Sequence, residues 1–336
     1  MGRKVTYCLS YPIVLTRLCV NRCGYCRFPI AGPERLPSLR VVRRHLREAA
    51  RRGATQIELI AGEGISNDPD ILTTVRYYGF ASYQSYLTRI LQMIEATNRR
   101  SHLFSLLNLG PLSLAELCLM RSYLCAVRIM LESADPALEF REAHLHSPHK
   151  SPDRRLEAIL RCGKAGVPLT TGILVGIGES AASRTIAFDI IGRAHARYGH
   201  IQAVRIQMFH PAPATPMESF PQVGDDEFLE VVASARRHFG PDMAIQVSAD
   251  EHPGLIGRLL DAGVNDFGDL SLRRPPSPHL SFDDLLERMA AETQAHGLAL
   301  TRRFPVLGPY CTARWYPGGF PERIPYARAW MFAPAR

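Results

Sequence analysis

Residues 13–26 read Ile-Val-Leu-Thr-Arg-Leu-Cys-Val-Asn-Arg-Cys-Gly-Tyr-Cys, an apolar run that passes directly into three cysteines. The β-branched and apolar residues at 13–17 predict a strand. Cys19, Cys23 and Cys26 follow it with C-x3-C-x2-C spacing. Three thiols clustered at the end of a strand indicate metal or redox chemistry there.

The rest of the chain alternates short β-branched runs with longer helical patterns. Predicted strands cover residues 13–17, 56–61, 103–107, 126–131, 169–175, 203–209, 244–247 and 264–267. Predicted helices cover residues 38–52, 82–98, 113–123, 153–165, 181–197, 225–239 and 282–296, with Ser38, Ser113 and Asp153 as N-caps. This order, with crossovers long enough for parallel pairing, predicts an α/β fold. It favours a TIM-type (β/α) barrel, full or partial, over an open doubly wound sheet.

The composition changes near the end of the chain. Residues 304–336 contain six prolines interleaved with aromatic residues, a pattern typical of irregular structure. We therefore expect a barrel domain over residues 1–303 and a C-terminal tail over residues 304–336.

The overall composition excludes several classes of protein. With 336 residues, 46% hydrophobic and 21% charged, and no apolar run near 20 residues, the chain is neither disordered nor membrane-spanning by expectation. The net charge of +8 is spread along the chain, and its densest stretch, residues 40–52, reads as the solvated face of an amphipathic helix. Arg17 interrupts the only N-terminal segment that resembles an export signal, so we expect a cytoplasmic protein.

A reducing compartment disfavours a disulfide framework for the eight cysteines. Cys118, Cys125 and Cys162 lie in apolar patterns and are predicted to be small core residues. The sequence does not assign Cys8 and Cys311.

The C-x3-C-x2-C loop suits an iron–sulfur cluster. Three thiolates bind three irons of a cubane and leave the fourth iron open for a substrate. Structural zinc is the alternative, but zinc fingers generally present two separated knuckles, and the sequence has no second knuckle of that kind.

Cys19, Cys23 and Cys26, with Tyr25 before the third cysteine, resemble the signature loop of the radical S-adenosylmethionine superfamily. The resemblance implies a [4Fe-4S] cluster whose open iron binds the amino and carboxylate groups of S-adenosylmethionine. It also implies one-electron cleavage of that cofactor to methionine and a 5′-deoxyadenosyl radical.

Three further segments resemble cofactor contacts of the same superfamily. Gly62 and Glu63 follow the second strand like the Gly-Glu segment that holds the methionine amine, although Gly-Glu pairs also occur in ordinary turns. Glu132 matches a ribose-binding carboxylate and Arg155 a partner of the methionine carboxylate, with a surface salt bridge as the alternative.

The third segment, residues 170–179, resembles the G-x-I-x-G-x-x-E stretch that borders adenine. The resemblance implies cofactor contacts from Gly172, Ile173, Val175 and Gly176 of this stretch.

Several longer stretches resemble the 7,8-didemethyl-8-hydroxy-5-deazariboflavin (FO) synthase small-subunit family. They are residues 16–26, 146–152, 170–179, 198–202 with 206–207, 215–217 and 261–268. The resemblance implies ring closure of a tyrosine-derived 4-hydroxybenzyl adduct of ribityl-diaminouracil, with loss of ammonia, in coenzyme F420 biosynthesis. It further implies a small-molecule substrate, a partner radical enzyme that supplies the adduct, and flavodoxin or ferredoxin as electron donor, with no nucleic-acid or membrane partner.

Residues 208–213, 247–252 and 271–281 depart from the family pattern. Because they follow strands where substrate binds in a barrel, a second hypothesis keeps the radical chemistry and changes the substrate to another aromatic or pyrimidine-derived molecule. A third, a metal-stabilised nucleic-acid binder, rests only on the +8 charge and the cysteine cluster.

Overall fold

The computed structural model describes residues 4–31, 35–273 and 280–317. Eight parallel strands are hydrogen-bonded in chain order, and the eighth returns to the first, so the sheet closes into a barrel. The strands are β1 (Lys4–Thr16), β2 (Gln56–Ala61), β3 (Phe104–Asn108), β4 (Ala126–Arg128), β5 (Leu169–Val175), β6 (Ile201–Met208), β7 (Ala244–Gln246) and β8 (Asp266–Ser271). The predicted TIM-type barrel is confirmed, in its full form.

Strand β1 is longer than predicted. Its residues 10–16 pair with β2, and residues 6–10 pair with β8. The first half escaped the prediction because Thr6, Cys8 and Ser10 alternate with apolar residues and bond to polar groups of neighbouring strands, so the segment lacks a continuous β-branched run. A ninth strand, β9 (Ala299–Arg302), pairs with residues 4–7 of β1 and was not predicted.

Nine helices surround the described part of the barrel. They are α1 (Leu39–Arg51), α2 (Pro69–Tyr77), α3 (Tyr83–Ser101), α4 (Leu114–Met120), α5 (Pro152–Ala165), α6 (Ala181–Tyr198), α7 (Asp225–Phe239), α8 (Ile256–Asp261) and α9 (Phe282–Ala295). The seven predicted helices are all present, and the short α2 and α8 are additional. Within the described ranges, no helix has both the length and the apolar character to cross a bilayer.

The helix caps follow the sequence with one exception. Ser38 and Ser113 accept hydrogen bonds from Val41 N and Glu116 N, as expected of N-caps. The N-cap of α5 is Ser151 and not Asp153, because Pro152 occupies the first helical position, where its missing N–H costs nothing.

The main core lies between the strands and the helices, where α1 buries Val42, Leu46 and Ala49. Cys125 and Cys162 are buried as predicted. The prediction for Cys118 is wrong, because α4 turns its Leu117 and Met120 inward and leaves Cys118 exposed to solvent.

The beginning of the predicted tail packs against the barrel. The aromatic and apolar side chains of this segment form a cluster with Phe104 and Ala126, the first residues of β3 and β4, and so cover the N-terminal end of the barrel. They are Phe304, Val306, Tyr310, Trp315 and Tyr316. The division at residue 303 stays a prediction, and residues 318–336 of the tail lie outside the described residues.

Candidate active site

The cysteine loop follows β1 at the carboxyl end of the barrel, the end at which active sites of such barrels form. Backbone hydrogen bonds hold the loop in place: Val20 N donates to Glu63 O (3.0 Å), Arg22 N to His146 O (2.8 Å), and Gly24 N to Ala143 O (3.0 Å). The segment after β2 and the segment before α5 thus fix the loop from two sides.

All three thiols of the loop are free and lie near hydrogen-bond donors. Cys19 Sγ accepts from Glu63 N (3.3 Å), and Cys26 Sγ accepts from Phe28 N (3.4 Å). Ser147 Oγ lies 3.3 Å from Cys23 Sγ. Donors placed in this way favour the thiolate form that metals require.

Burial opposes ionisation of two of these thiols. It raises the pKa of Cys23 to about 11, partly offset by the Lys150 ammonium, and it also raises the pKa of Cys26. A bound metal supplies the positive charge that stabilises such buried thiolates.

The donor set fits a cubane better than a single ion. In the described part of the chain, no group of three or more His, Cys, Asp or Glu side chains is arranged to hold one metal ion. In a [4Fe-4S] cluster each thiolate binds a different iron, so the three sulfurs need not converge on one point.

A buried ionic network lies beside the loop. Glu63 Oε1 accepts from Lys150 Nζ (3.0 Å) and from Arg155 Nη1 (3.0 Å). Glu132 Oε1 accepts from Lys150 Nζ (2.8 Å) and lies 3.8 Å from Arg155 Nη2. The structure therefore brings together Glu63, Glu132 and Arg155, three residues predicted from separate parts of the sequence.

The network is buried. The surface location assumed by the alternative is therefore wrong, although Arg155 does pair with Glu132. The Arg155 side chain is 2% exposed and also donates through Nε to Met130 O (2.6 Å). Burial alone would raise the pKa of Glu63, but Arg155 and Lys150 lower it to about 2, and the same two cations lower the pKa of Glu132. The two carboxylates and two cations are thus all ionised and balance in charge.

Lys150 was not predicted as a site residue. The only signal for it in the sequence is its position within residues 146–152, one of the segments that carry the family resemblance. Asn21 was missed as well: its Nδ2 donates to Glu63 Oε2 (2.9 Å), and its Oδ1 accepts from His149 N (3.0 Å).

Glu132 has a left-handed backbone, with φ of 67°, which is uncommon for a residue with a side chain. Its N–H donates to Gly172 O and its carbonyl accepts from Leu174 N, so strand β5 holds this conformation. Strain of this kind concentrates at functional sites.

Tyr25, within the cysteine loop, contacts the segment before α5. Its hydroxyl is 3.2 Å from His144 Nε2, and the two rings meet edge to face. Burial strongly raises the pKa of Tyr25 and lowers that of His144 to about 4, so both side chains are neutral near pH 7.

At two of the predicted glycines, a side chain would clash with neighbouring protein backbone. A Cβ on Gly62 would lie 1.9 Å from Leu18 O, and one on Gly172 would lie 1.8 Å from Arg205 O. Close approach of the cysteine loop and of β6 therefore accounts for both glycines. Their contact with a cofactor stays a prediction.

Successive residues at the end of β5 face opposite sides of the sheet. Ile173 and Val175 pack into the main core, whereas Leu174 joins an apolar cluster with Phe209 and Met217 at the barrel mouth. Of these three side chains, Leu174 is the one that lies in the apolar cluster at the mouth. Contacts of Ile173, Val175 and Gly176 with adenine stay predictions.

Glu179 of the same segment orders the turn after β5. Its carboxylate accepts from Gly176 N (2.9 Å) and Ile177 N (2.8 Å) and pairs with Arg184 (2.7 Å). The glutamate of the G-x-I-x-G-x-x-E pattern is therefore used within the protein.

Two of the divergent segments meet at the barrel mouth. The rings of His210, after β6, and His252, after β7, lie 5.4 Å apart. Much of the third segment, residues 271–281, lies outside the described residues.

A known family matches the part of the chain that contains these residues. The family model described as the radical SAM superfamily matches residues 13–190. The chain belongs to the radical S-adenosylmethionine superfamily, whose members use a [4Fe-4S] cluster and S-adenosylmethionine, and these are its cofactors.

Curated relatives narrow the family. The 7,8-didemethyl-8-hydroxy-5-deazariboflavin synthase of Methanosarcina acetivorans is 33% identical over 311 residues, covering 90% of each chain. The synthase of Methanothermobacter thermautotrophicus is 32% identical, covering 95% of this chain and 97% of its own. Within the superfamily, the chain belongs to the family of 7,8-didemethyl-8-hydroxy-5-deazariboflavin synthases and is a radical enzyme of that type.

Solved structures share the fold. The FeFe-hydrogenase maturase HydG from Carboxydothermus hydrogenoformans superposes with a TM-score of 0.69 at 21% identity, covering 94% of this chain and 70% of the maturase. Methylornithine synthase (PylB) gives a TM-score of 0.63 at 20% identity, covering 89% of this chain and 84% of that protein.

The residues present fit both cofactors. Cys19, Cys23 and Cys26 would hold the cluster, while the paired carboxylates and cations beside them offer both signs of charge to the ammonium and carboxylate of an amino-acid ligand. Contacts of Tyr25, Glu63, Glu132 and Arg155 with S-adenosylmethionine stay predictions.

Proposed function

We propose that this enzyme forms the 8-hydroxy-5-deazaflavin chromophore in coenzyme F420 biosynthesis. The substrate would be 5-amino-5-(4-hydroxybenzyl)-6-(D-ribitylimino)-5,6-dihydrouracil, and the conversion closes the central ring with loss of ammonia. The observation that carries the proposal is the end-to-end similarity to the named synthases at 32–33% identity.

The protein's part in this chemistry is positioning and shielding. When bound, the cluster and S-adenosylmethionine supply a 5′-deoxyadenosyl radical that removes a hydrogen atom from the substrate. Glu63 would accept from the methionine ammonium, Arg155 would donate to the methionine carboxylate, and Glu132 would accept from the ribose. Lys150 keeps the two carboxylates ionised and in place.

The mouth of the barrel favours an aromatic substrate near the cluster. Leu174, Phe209 and Met217 form an apolar cluster there, with Tyr25 packed against it. Apolar walls exclude water, which protects a reactive radical from side reactions.

A second candidate keeps the same chemistry on another aromatic or pyrimidine-derived molecule. It is favoured by the contact between His210 and His252, because both belong to segments that depart from the family pattern and both follow strands of the barrel.

Two partners belong to the proposal: a radical enzyme that supplies the adduct and a flavodoxin or ferredoxin that supplies electrons. We also retain the cytoplasmic location as a prediction.

The decisive experiment incubates the anaerobically reconstituted enzyme with S-adenosylmethionine, dithionite and the synthetic adduct. We expect a fluorescent deazaflavin to accumulate together with 5′-deoxyadenosine. Formation of 5′-deoxyadenosine with no deazaflavin would contradict the first candidate and favour the second.

A further inference from the structure

The interior of the barrel below the site is ionic. Arg128 of β4 donates through Nη1 to Glu58 of β2 (2.7 Å) and through Nη2 to Asp269 of β8. Strands β4 and β8 lie on opposite sides of the eight-stranded ring, so this guanidinium spans the interior. Branched apolar side chains usually fill such interiors, and buried charges are costly even when paired. An ionic layer here therefore calls for a reason beyond stability.

Two more side chains extend the layer. Asn108 of β3 donates to Glu58 Oε1 (3.0 Å). Arg205 of β6 donates to Ser248 Oγ (3.1 Å) and to Glu251 Oε1 (3.4 Å). We call Glu58, Asn108, Arg128, Arg205 and Asp269 the polar floor.

The polar floor faces a space and is not sealed from above. Val14 and Ile60 pair across β1 and β2 and alternate with the fully buried Ile13 and Leu59, which pack toward the helices. Val14 and Ile60 therefore point into the barrel, yet both are only half-buried. In addition, Arg128 Nε is buried and has no hydrogen-bond partner, which is unusual for so polar a group.

Below the polar floor the barrel is closed. Arg303 donates to both oxygens of Asp266 (2.5 and 2.8 Å), and Gln246 also donates to Asp266 Oδ1 (2.7 Å). Asp266 is fully buried, and the aromatic cluster of the tail lies beneath. The space above the polar floor therefore opens toward the cysteine loop.

We propose that the polar floor binds the ribityl chain of the substrate, an inference that rests on the proposed function. A polyhydroxylated chain needs both hydrogen-bond acceptors and donors. Glu58 and Asp269 supply acceptors, and Arg128, Arg205 and Asn108 supply donors. With the ribityl chain held below, the aromatic part of the substrate lies against the apolar mouth, next to the cofactor.

The test compares two probes on the reconstituted holoenzyme by anaerobic calorimetry: 5-amino-6-(D-ribitylamino)uracil and 5,6-diaminouracil, which lacks the ribityl chain. We expect the wild type to bind the ribityl compound at least about tenfold more tightly, because a site built for hydroxyl groups discriminates against a ligand that lacks them. Asp269→Asn should remove most of that preference and leave affinity for 5,6-diaminouracil unchanged.

Asp226→Asn is the matched control, because it makes the same chemical change at an exposed carboxylate paired with Arg258, and it should keep the preference. If the Asp269→Asn protein does not retain iron, Asn108→Ala replaces it, and this variant should also lose much of the preference for the ribityl compound. Equal affinity of the wild type for both probes, or equal weakening of both by the variant, would overturn the proposal. Ribityl preference in an enzyme that makes no deazaflavin would support the polar floor and contradict the proposed reaction.

Discussion

Lys150 is the residue on which the ionic network depends. Its ammonium is the only cation within 3 Å of both Glu63 and Glu132 among the described residues, since Arg155 approaches Glu132 only to 3.8 Å. The pKa of Lys150 is raised because these carboxylates outweigh its burial and the nearby Arg155 charge. Without it, two buried carboxylates would share one guanidinium.

Lys150→Met should therefore destabilise the protein strongly. Removing one member of a buried ionic network leaves an uncompensated charge and costs about 3–5 kcal/mol. Anaerobic urea unfolding measures the loss, and S-adenosylmethionine binding should weaken in parallel.

The control for this variant is Lys164→Met, at an exposed position near the end of α5. Its effect should stay within about 0.5 kcal/mol. A Lys150→Met protein as stable as Lys164→Met would show that the network contributes little.

At the scale of secondary-structure elements, the contact between the segment after β2 and the cysteine loop decides the geometry of the site. Gly62 lies so close to the loop that a Cβ at position 62 would be 2.4 Å from the Cys19 Cβ. Glu63 on the same segment donates its N–H to Cys19 Sγ and accepts at its carbonyl from Val20 N. One turn thus sets the position of both a predicted cluster ligand, Cys19, and a predicted cofactor contact, Glu63.

Gly62→Ala should displace the cysteine loop. Overpacking of this kind costs about 1–3 kcal/mol, and we expect fewer irons per chain after reconstitution. Iron analysis and urea unfolding give the two readouts.

Gly254→Ala serves as the comparison, because a Cβ there meets no atom within 4 Å. Wild-type iron content and stability in Gly62→Ala would contradict the assigned close contact.

The sequence predicts the bounds of some secondary-structure elements better than those of others. Strands β2 and β5 fall at the predicted residues, and most of their residues are apolar or β-branched. The first half of β1 does not, since its polar residues face an interior that is itself polar. The short α8 spans only Ile256–Asp261, too few residues for a helical period to stand out.

At the scale of the whole molecule, the alternation of strands and helices was enough to predict the barrel, and the cysteine spacing was enough to predict its catalytic end. The partners within the site were not predictable from local pattern. Glu63 and Glu132 follow different strands, while Lys150 and Arg155 lie around the start of α5. Only closure of the sheet places these three parts of the chain around one point. The polar floor was missed for the same reason, because its members come from five different strands.

The central claim is that Cys19, Cys23 and Cys26 hold a cluster with one iron free for S-adenosylmethionine. Electron paramagnetic resonance of the dithionite-reduced, oxygen-protected protein, recorded with and without S-adenosylmethionine, tests it most directly. We predict a [4Fe-4S] signal that changes when the cofactor is added. Chemical analysis of the same protein should give about four irons and four sulfides per chain. A protein that holds zinc, or a cubane signal that S-adenosylmethionine leaves unchanged, would contradict the claim.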